Sequence, residues 1–165
     1  MIYFEKNKNI FEREVDAIIN TVNCVGVMGK GIALQFKQLY PDNFKQYKKA
    51  CDKKEIIPGK MFVYDNGFLN KPNYIINFPT KNHWREKSKI EYITTGLNDL
   101  CKVIEKLKIK SISIPPLGCG NGGLDWNIVK KYIVEKLSQC SDIDCYIYEP
   151  TNNFTNIQNK EKATL

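Results

Sequence analysis

Seven of the ten glycines fall in two short stretches, Gly26, Gly29 and Gly31 in one and Gly118, Gly120, Gly122 and Gly123 in the other, leaving Gly59, Gly67 and Gly96 elsewhere. The first stretch is Val25-Gly-Val-Met-Gly-Lys-Gly-Ile-Ala and the second Gly118-Cys-Gly-Asn-Gly-Gly-Leu-Asp-Trp. Each follows an apolar, β-rich run and precedes a helical pattern. Glycine lets a backbone come close to a ligand, and free N–H groups beside a helix N-terminus attract phosphate. Two such loops can grip a diphosphate from both sides. Neither is a Walker loop, because Lys30 is followed by Gly31, and neither has the GxGxxG spacing and trailing acid of a dinucleotide site. Triphosphate hydrolysis and hydride transfer lose support accordingly. A third stretch, Asn77-Phe-Pro-Thr-Lys-Asn-His-Trp, leaves an apolar run through Pro79 and puts Lys81 and His83 on a loop. A lysine amine forms a Schiff base with an aldehyde-like carbon once desolvation or nearby positive charge leaves it neutral. Arg85, Lys87 and Lys89 supply such charge.

The elements that must carry these loops are legible in the periodicity. Val15–Val22, Lys60–Tyr64, Tyr74–Phe78, Ser111–Ile114 and Ile143–Tyr148 read as strands. Ile90–Leu107 reads as the clearest helix, with Ile93, Leu97, Leu100, Val103, Ile104 and Leu107 at helical spacing. Trp126–Leu137 is a second helix with Asp125 as its expected N-cap, and Gly31–Tyr40 and Asn43–Lys53 are two more, separated by Pro41. Alternating strands and helices predict a mostly parallel sheet covered on both faces, an α/β layer sandwich whose ligand lies beyond the strands' carboxyl ends.

At 165 residues the chain has the length of one domain, which we place at residues 1–150; the Asn-, Thr- and Lys-rich stretch from Thr151 to Leu165 reads as a disordered tail or linker. No apolar run reaches the ~18–20 residues of a membrane span, and the N-terminus lacks a signal-peptide core, so a cytoplasmic location is expected. The six cysteines form no CxxC pair, and the single histidine, His83, cannot complete a zinc cluster with them. No metal is expected, and the cysteines read as free thiols. A net charge of +7 favours anionic partners. From Lys81 to Lys89 four basic residues and Glu86 are interleaved with His83 and Trp84, a composition suited to holding a nucleic-acid strand or, equally, to a solvated helix start with a buried tryptophan. The seven lysines between Lys37 and Lys60 read as a solvated helix face.

Three motifs in this order, Ile19-Asn-Thr-Val-Asn-Cys-Val-Gly-Val-Met-Gly-Lys-Gly-Ile-Ala-Leu-Gln-Phe-Lys, Asn77-Phe-Pro-Thr-Lys-Asn-His-Trp and Pro115-Pro-Leu-Gly-Cys-Gly-Asn-Gly-Gly-Leu-Asp-Trp, resemble a macrodomain. The resemblance runs from about Ile2 to Pro150. Among macrodomains the sequence is most similar to the DarG type, antitoxins that remove ADP-ribose from DNA bases, within the lysine-using terminal ADP-ribose glycohydrolases. The resemblance implies a three-layer α/β/α fold with a mostly parallel mixed sheet and ADP-ribose across its carboxyl edge. It also implies a hydrolase of the N-glycosidic bond to a DNA nucleobase that needs no cofactor, with Lys81 attacking C1″ and His83 beside it.

Carried over by position, Asn9 and Ile10 lie near the adenine and Asn23 by the distal ribose. Gly29, Lys30, Gly31 and Ile32 follow the diphosphate, and Leu117, Gly118, Cys119, Gly120, Asn121, Gly122, Gly123 and Leu124 wrap its other side. Tyr148 either flanks the adenine or is a half-buried strand aromatic. Trp84, Arg85, Lys87 and Lys89 would hold the DNA. The implied partners are ADP-ribose, ADP-ribosylated single-stranded DNA and a cognate DNA ADP-ribosyltransferase toxin, with no membrane and a monomeric chain. Alternatives are a hydrolase of ADP-ribose esters on protein carboxylates and a reader that binds without cleaving.

Two positions depart from the family's pattern: Asn9 stands where many macrodomains carry Asp, and Gly122 where lysine-dependent, protein-directed relatives carry Asp. Asp125 is either a substitute for that second acid or simply a helix cap.

Overall fold

A computed structural model describes residues 1–151, so all but the first residue of the expected tail lies outside the described residues. Its strands are β1 (Ile2–Glu5), β2 (Ala17–Val22), β3 (Phe62–Asp65), β4 (Tyr74–Pro79), β5 (Ser111–Ile114) and β6 (Asp144–Tyr148). The helices are α1 (Gly31–Leu39), α2 (Pro41–Asp52), α3 (Ile90–Leu107) and α4 (Trp126–Leu137). The strands form one sheet in the order β1-β6-β5-β2-β4-β3, parallel throughout except for the antiparallel pairing of β3 with β4. This is the expected α/β sandwich.

The near-continuous apolar runs of β2 and β4 suit strands buried on both faces. On one face Ala17, Ile19, Ile76, Phe78, Ile112 and Ile114 pack with Ile93, Leu97 and Leu100 of α3 and Val129, Ile133 and Leu137 of α4. On the other, Ile18 and Ile75 meet Phe36 of α1, and Val22 meets Tyr47 and Ala50 of α2. Each such side chain contributes about 1.5–3 kcal/mol on leaving water. Gly96 lets α3 lie directly on β4, because a Cβ there would land on the Phe78 ring. That contact fixes the strand just before the lysine loop.

Three fully buried asparagines interrupt this apolar packing. Asn20 and Asn77 are register partners on β2 and β4. Asn77 Nδ2 donates to Asn43 Oδ1 of α2 (2.8 Å) and to the Phe62 carbonyl (3.1 Å), while Asn20 Nδ2 and Asn43 Nδ2 donate to Asn77 Oδ1. Paired in this way the amides avoid most of the cost of burial and tie α2 to the sheet.

Several boundaries differ from the sequence reading. The edge strand β1 was not expected; only four residues long, it is held by β6 and by the N-terminal amine, which donates to the Ile143 carbonyl (2.8 Å). β2 begins at Ala17 rather than Val15, and the preceding Asp16 accepts from the amide of Lys110 and the Lys71 ammonium. α2 begins at Pro41, whose fixed φ and missing N–H suit the first helical position. Among the described residues no helix is long and apolar enough to cross a membrane.

Candidate active site

Because β2 and β4 pair in parallel as far as Val22 with Pro79, the chain leaves both strands side by side at one end of the sheet. β5, on the other side of β2, sends the second glycine loop out at the same end. Main-chain hydrogen bonds then join the three loops. The Thr80 amide donates to the Val22 carbonyl (2.9 Å), the Cys24 amide to Asn82 (3.1 Å) and the Ser88 amide to Gly122 (3.0 Å). The segment carrying Lys81 is thus bonded to the first glycine loop near its start and to the second at its end.

In the first loop Asn23 works inward. Its Oδ1 accepts from the Val25 amide (3.1 Å) and lies 2.9 Å from the Tyr47 hydroxyl, and its Nδ2 donates to the Val27 carbonyl (2.8 Å). A residue expected beside a ribose is therefore largely committed to shaping its own loop. Tyr47, buried on α2, was not singled out from the sequence, where nothing distinguishes it from other apolar positions of that helix. Beyond the loop, Gly29, Lys30 and Gly31 are exposed, and Ile32 packs against the core. Among the described residues no side chain caps α1, and its first turn holds no acid. Its terminal N–H groups and dipole are free to meet an anion.

The second loop is built differently. Asp125 caps α4, accepting from the Asn127 amide (2.8 Å), so the reading of this carboxylate as a helix cap fits the geometry. Leu117 and Cys119 are buried and Leu124 is half-buried in the core, while Gly120 is half-buried and Asn121 and Gly123 are exposed. The Cys119 thiol is pushed up to about 12, mainly by burial, which leaves it in the protonated form at neutral pH. Gly118 and Gly122 are buried, and a Cβ on Gly122 would collide with the Gly118 carbonyl oxygen and with Ser88 Oγ. Packing thus excludes a side chain at the position where protein-directed relatives carry an aspartate. Ser88 was also not anticipated; its buried Oγ has no hydrogen-bond partner among the described residues.

Lys81 is half-buried. Burial first, and then the positive charge of Lys30, hold its pKa below the ordinary lysine value. The sequence assigned that electrostatic role to Arg85, Lys87 and Lys89; the structure gives it to a lysine of the first glycine loop. An amine is nucleophilic only in its neutral form, so, for a reaction that uses Lys81, removing the neighbouring charge should move the rising limb of the rate profile to higher pH. Lys30→Met is expected to lower kcat at neutral pH several-fold, because the Lys81 pKa rises once that charge is gone. The measurement is kcat against pH at saturating substrate, and an unshifted limb would remove Lys30 from this role.

The half-buried His83 and the exposed Trp84 and Arg85 form an aromatic and cationic platform next to Lys81. The His83 ring stacks on Trp84 with centroids 5.3 Å apart, and the Arg85 guanidinium lies 4.6 Å from the Trp84 centroid. Trp84 is 45% exposed, which decides against a buried tryptophan. His83 Nδ1 accepts from the Arg85 amide (3.1 Å), which leaves the proton of the neutral ring on Nε2. The Lys87 stem runs beside Gly123, while Lys89 turns toward Tyr92 of α3. The α2 lysines stand exposed, two of them in loose pairs with Asp42 and Asp52, as a solvated helix face.

Around β1 and the end of β6, a cavity of about 380 Å³ is lined by Asn9, Arg13 and Tyr148 among others. Asn9, assigned to the adenine, and Tyr148, for which that place was one of two readings, are thus brought together. Asn9 Oδ1 accepts from the Phe11 amide (3.0 Å), and Ile10 is buried in the core with Tyr148, which is only 6% exposed.

A mostly parallel sheet flanked by two helix pairs, with two glycine loops and a third loop gathered at one end, defines the class. The chain belongs to the macro domain family, whose model matches residues 19–133. Within that class, it is similar to the macrodomain of Thermus aquaticus DarG, with 51% identity and a TM-score of 0.88 over 91% of this chain and 99% of that one. It is also 52% identical over 153 residues to the DNA ADP-ribosyl glycohydrolase of Mycobacterium tuberculosis. That match takes in 93% of this chain but only 44% of the relative's length. Thermosipho africanus DarTG in complex with ADP-ribose superposes with a TM-score of 0.81 at 36% identity, covering 90% of this chain and 42% of that one.

Proposed function

We propose that this macrodomain hydrolyses the N-glycosidic bond between ADP-ribose and a nucleobase of single-stranded DNA, with Lys81 as nucleophile. The observation that carries the reading is the lysine itself. It is half-buried, its ammonium form is disfavoured, and main-chain bonds fix it between a glycine loop leading into an uncapped helix end and a second glycine loop. The neutral Nζ attacks C1″, the bond to the base breaks, and the base leaves with a proton. The C1″–O4″ bond of the aminoribosyl adduct then opens as O4″ takes a proton from solvent, giving a protonated Schiff base with a hydroxyl at C4″. Water adds at C1″, the lysine amine departs and ADP-ribose is released. The diphosphate is held meanwhile by backbone N–H groups of Gly29–Ile32 at α1 and of the second loop.

The names of the relatives from Mycobacterium and Thermus support DNA as the substrate. The relative named as a DNA ADP-ribosyl transferase and glycohydrolase fusion supports a DNA ADP-ribosyltransferase as the source of that substrate and as the cognate partner. The crowding at Gly122 weighs against the ester-cleaving alternative, whose acid has no room here. Incubation with ADP-ribosylated single-stranded DNA and, in parallel, ADP-ribosylated protein tests the choice. Release of ADP-ribose from the DNA alone is expected, and cleavage of the protein ester with the DNA left intact overturns it.

The strand leaving C1″ should run over the platform next to Lys81. Replacing Arg85 and Lys87 together by Ala is expected to slow DNA cleavage about tenfold at low salt and to lower the salt slope by roughly two charges. Affinity for free ADP-ribose should stay nearly constant, since these cations face the polynucleotide. Equal losses of cleavage and of ADP-ribose binding would place both residues in the ADP-ribose site instead.

A further inference from the structure

Two thiols lie apart from the site and take no part in the chemistry above. Cys101 is in the second half of α3, Cys140 lies just beyond the end of α4, and their sulfurs are 3.1 Å apart. A disulfide bond is only about 1 Å shorter. Both side chains pack against the core shared by the two helices, and the Lys136 carbonyl, in the last turn of α4, lies near both sulfurs. Each thiol is half-buried, whereas Cys51, Cys119 and Cys145 are buried and Cys24 sits in the first glycine loop. One pair of sulfurs is thus brought into contact at a place a small oxidant can reach.

We propose that Cys101 and Cys140 form a reversible disulfide when the protein meets a peroxide. In the first step one thiolate attacks a peroxide oxygen, the O–O bond breaks and the departing oxygen leaves as water, giving a sulfenic acid. In the second, the other sulfur attacks the sulfenic sulfur, the S–O bond breaks and a second water leaves. The two thiols give up two electrons and two protons in all, and the peroxide is reduced to water. The Cys101 thiol is pushed up to about 12, by burial first and then by Cys140 beside it, which disfavours it as the first attacker; in the second step the sulfur it must reach is already in contact with it.

The bond would close a loop that contains β5, the second glycine loop and α4. Yet the pair sits past the far end of α4, whose 12 residues put it about 18 Å from the glycine loop at the other end. Oxidation should therefore restrain the unfolded chain and leave the site alone. A loop of this length predicts a rise in Tm on the order of 10 °C.

The test uses the full chain, purified reduced and then treated with stoichiometric hydrogen peroxide. Peptide mapping should find Cys101 linked to Cys140, Tm should rise, free ADP-ribose affinity should not change, and a dithiol reductant should reverse the shift. Cys101→Ser and Cys140→Ser should each lose both the linkage and the gain in Tm. The proposal is overturned if all six thiols remain open to alkylation after peroxide, if either sulfur links to Cys145 instead, or if the oxidised protein melts lower than the reduced one.

Discussion

Lys81→Ala is expected to abolish turnover, with a loss of about 10⁴-fold or more, because the amine on which the covalent intermediate forms is gone. Lys30, the other lysine whose charge is felt at the site, lies across on the first glycine loop. The variant should still bind ADP-ribose within about threefold of the parent, since the Lys81 interaction is realised on the reaction path while the loop amides recognise the diphosphate. The two measurements together separate catalysis from binding. Borohydride added during turnover should trap an ADP-ribose adduct on the parent protein and none on the variant. Substantial residual cleavage, or an adduct that maps to another lysine, would transfer the chemistry to a water molecule activated elsewhere, with His83 the next group to test.

Gly122→Asp should also be damaging, for a different reason. A Cβ at this position meets the Gly118 carbonyl and Ser88 Oγ, and a carboxylate would add an unpaired charge to a buried backbone position. The expected cost is about 2–4 kcal/mol of stability, with ADP-ribose affinity lowered more than tenfold as the loop is pushed out of shape. Gly122→Ala should do less in the same direction. Adding Ser88→Gly should recover part of the loss but not all, because the Gly118 carbonyl remains in the way. Thermal melts and calorimetry with ADP-ribose decide the matter. A Gly122→Asp protein that folds normally and acquires activity on protein esters would mean that the loop is adaptable and that substrate choice rests on this side chain alone.

Much of this was readable from residue order. Ile90–Leu107, Ser111–Ile114 and Trp126–Leu137 have the predicted bounds, because each carries a strong period bounded by a turn or a cap. β1 was missed because four edge residues ending in Glu5 show no period; what makes them a strand is β6, which lies far away in sequence. The three loops were found because glycine clusters and a proline mark them locally. The partners inside the site were not found, because charge proximity is a property of the assembled sheet. Lys30 and Lys81 lie on loops from adjacent strands, and no spacing rule links them. The reading of Trp84 as a buried residue and its reading as a stacking platform were equally compatible with the sequence, and only its exposure separates them.

The hydrogen bonds that hold the lysine loop, Cys24 N–H to Asn82 and Ser88 N–H to Gly122, run between main-chain atoms. Apart from proline at position 24 or 88, no exchange of side chain deletes either donor. Positions 83 to 87 can therefore drift in charge and size while Lys81 keeps its place. A lineage under pressure to accept a different partner, or an engineer wanting one, can vary that exposed surface without first moving the lysine beside it.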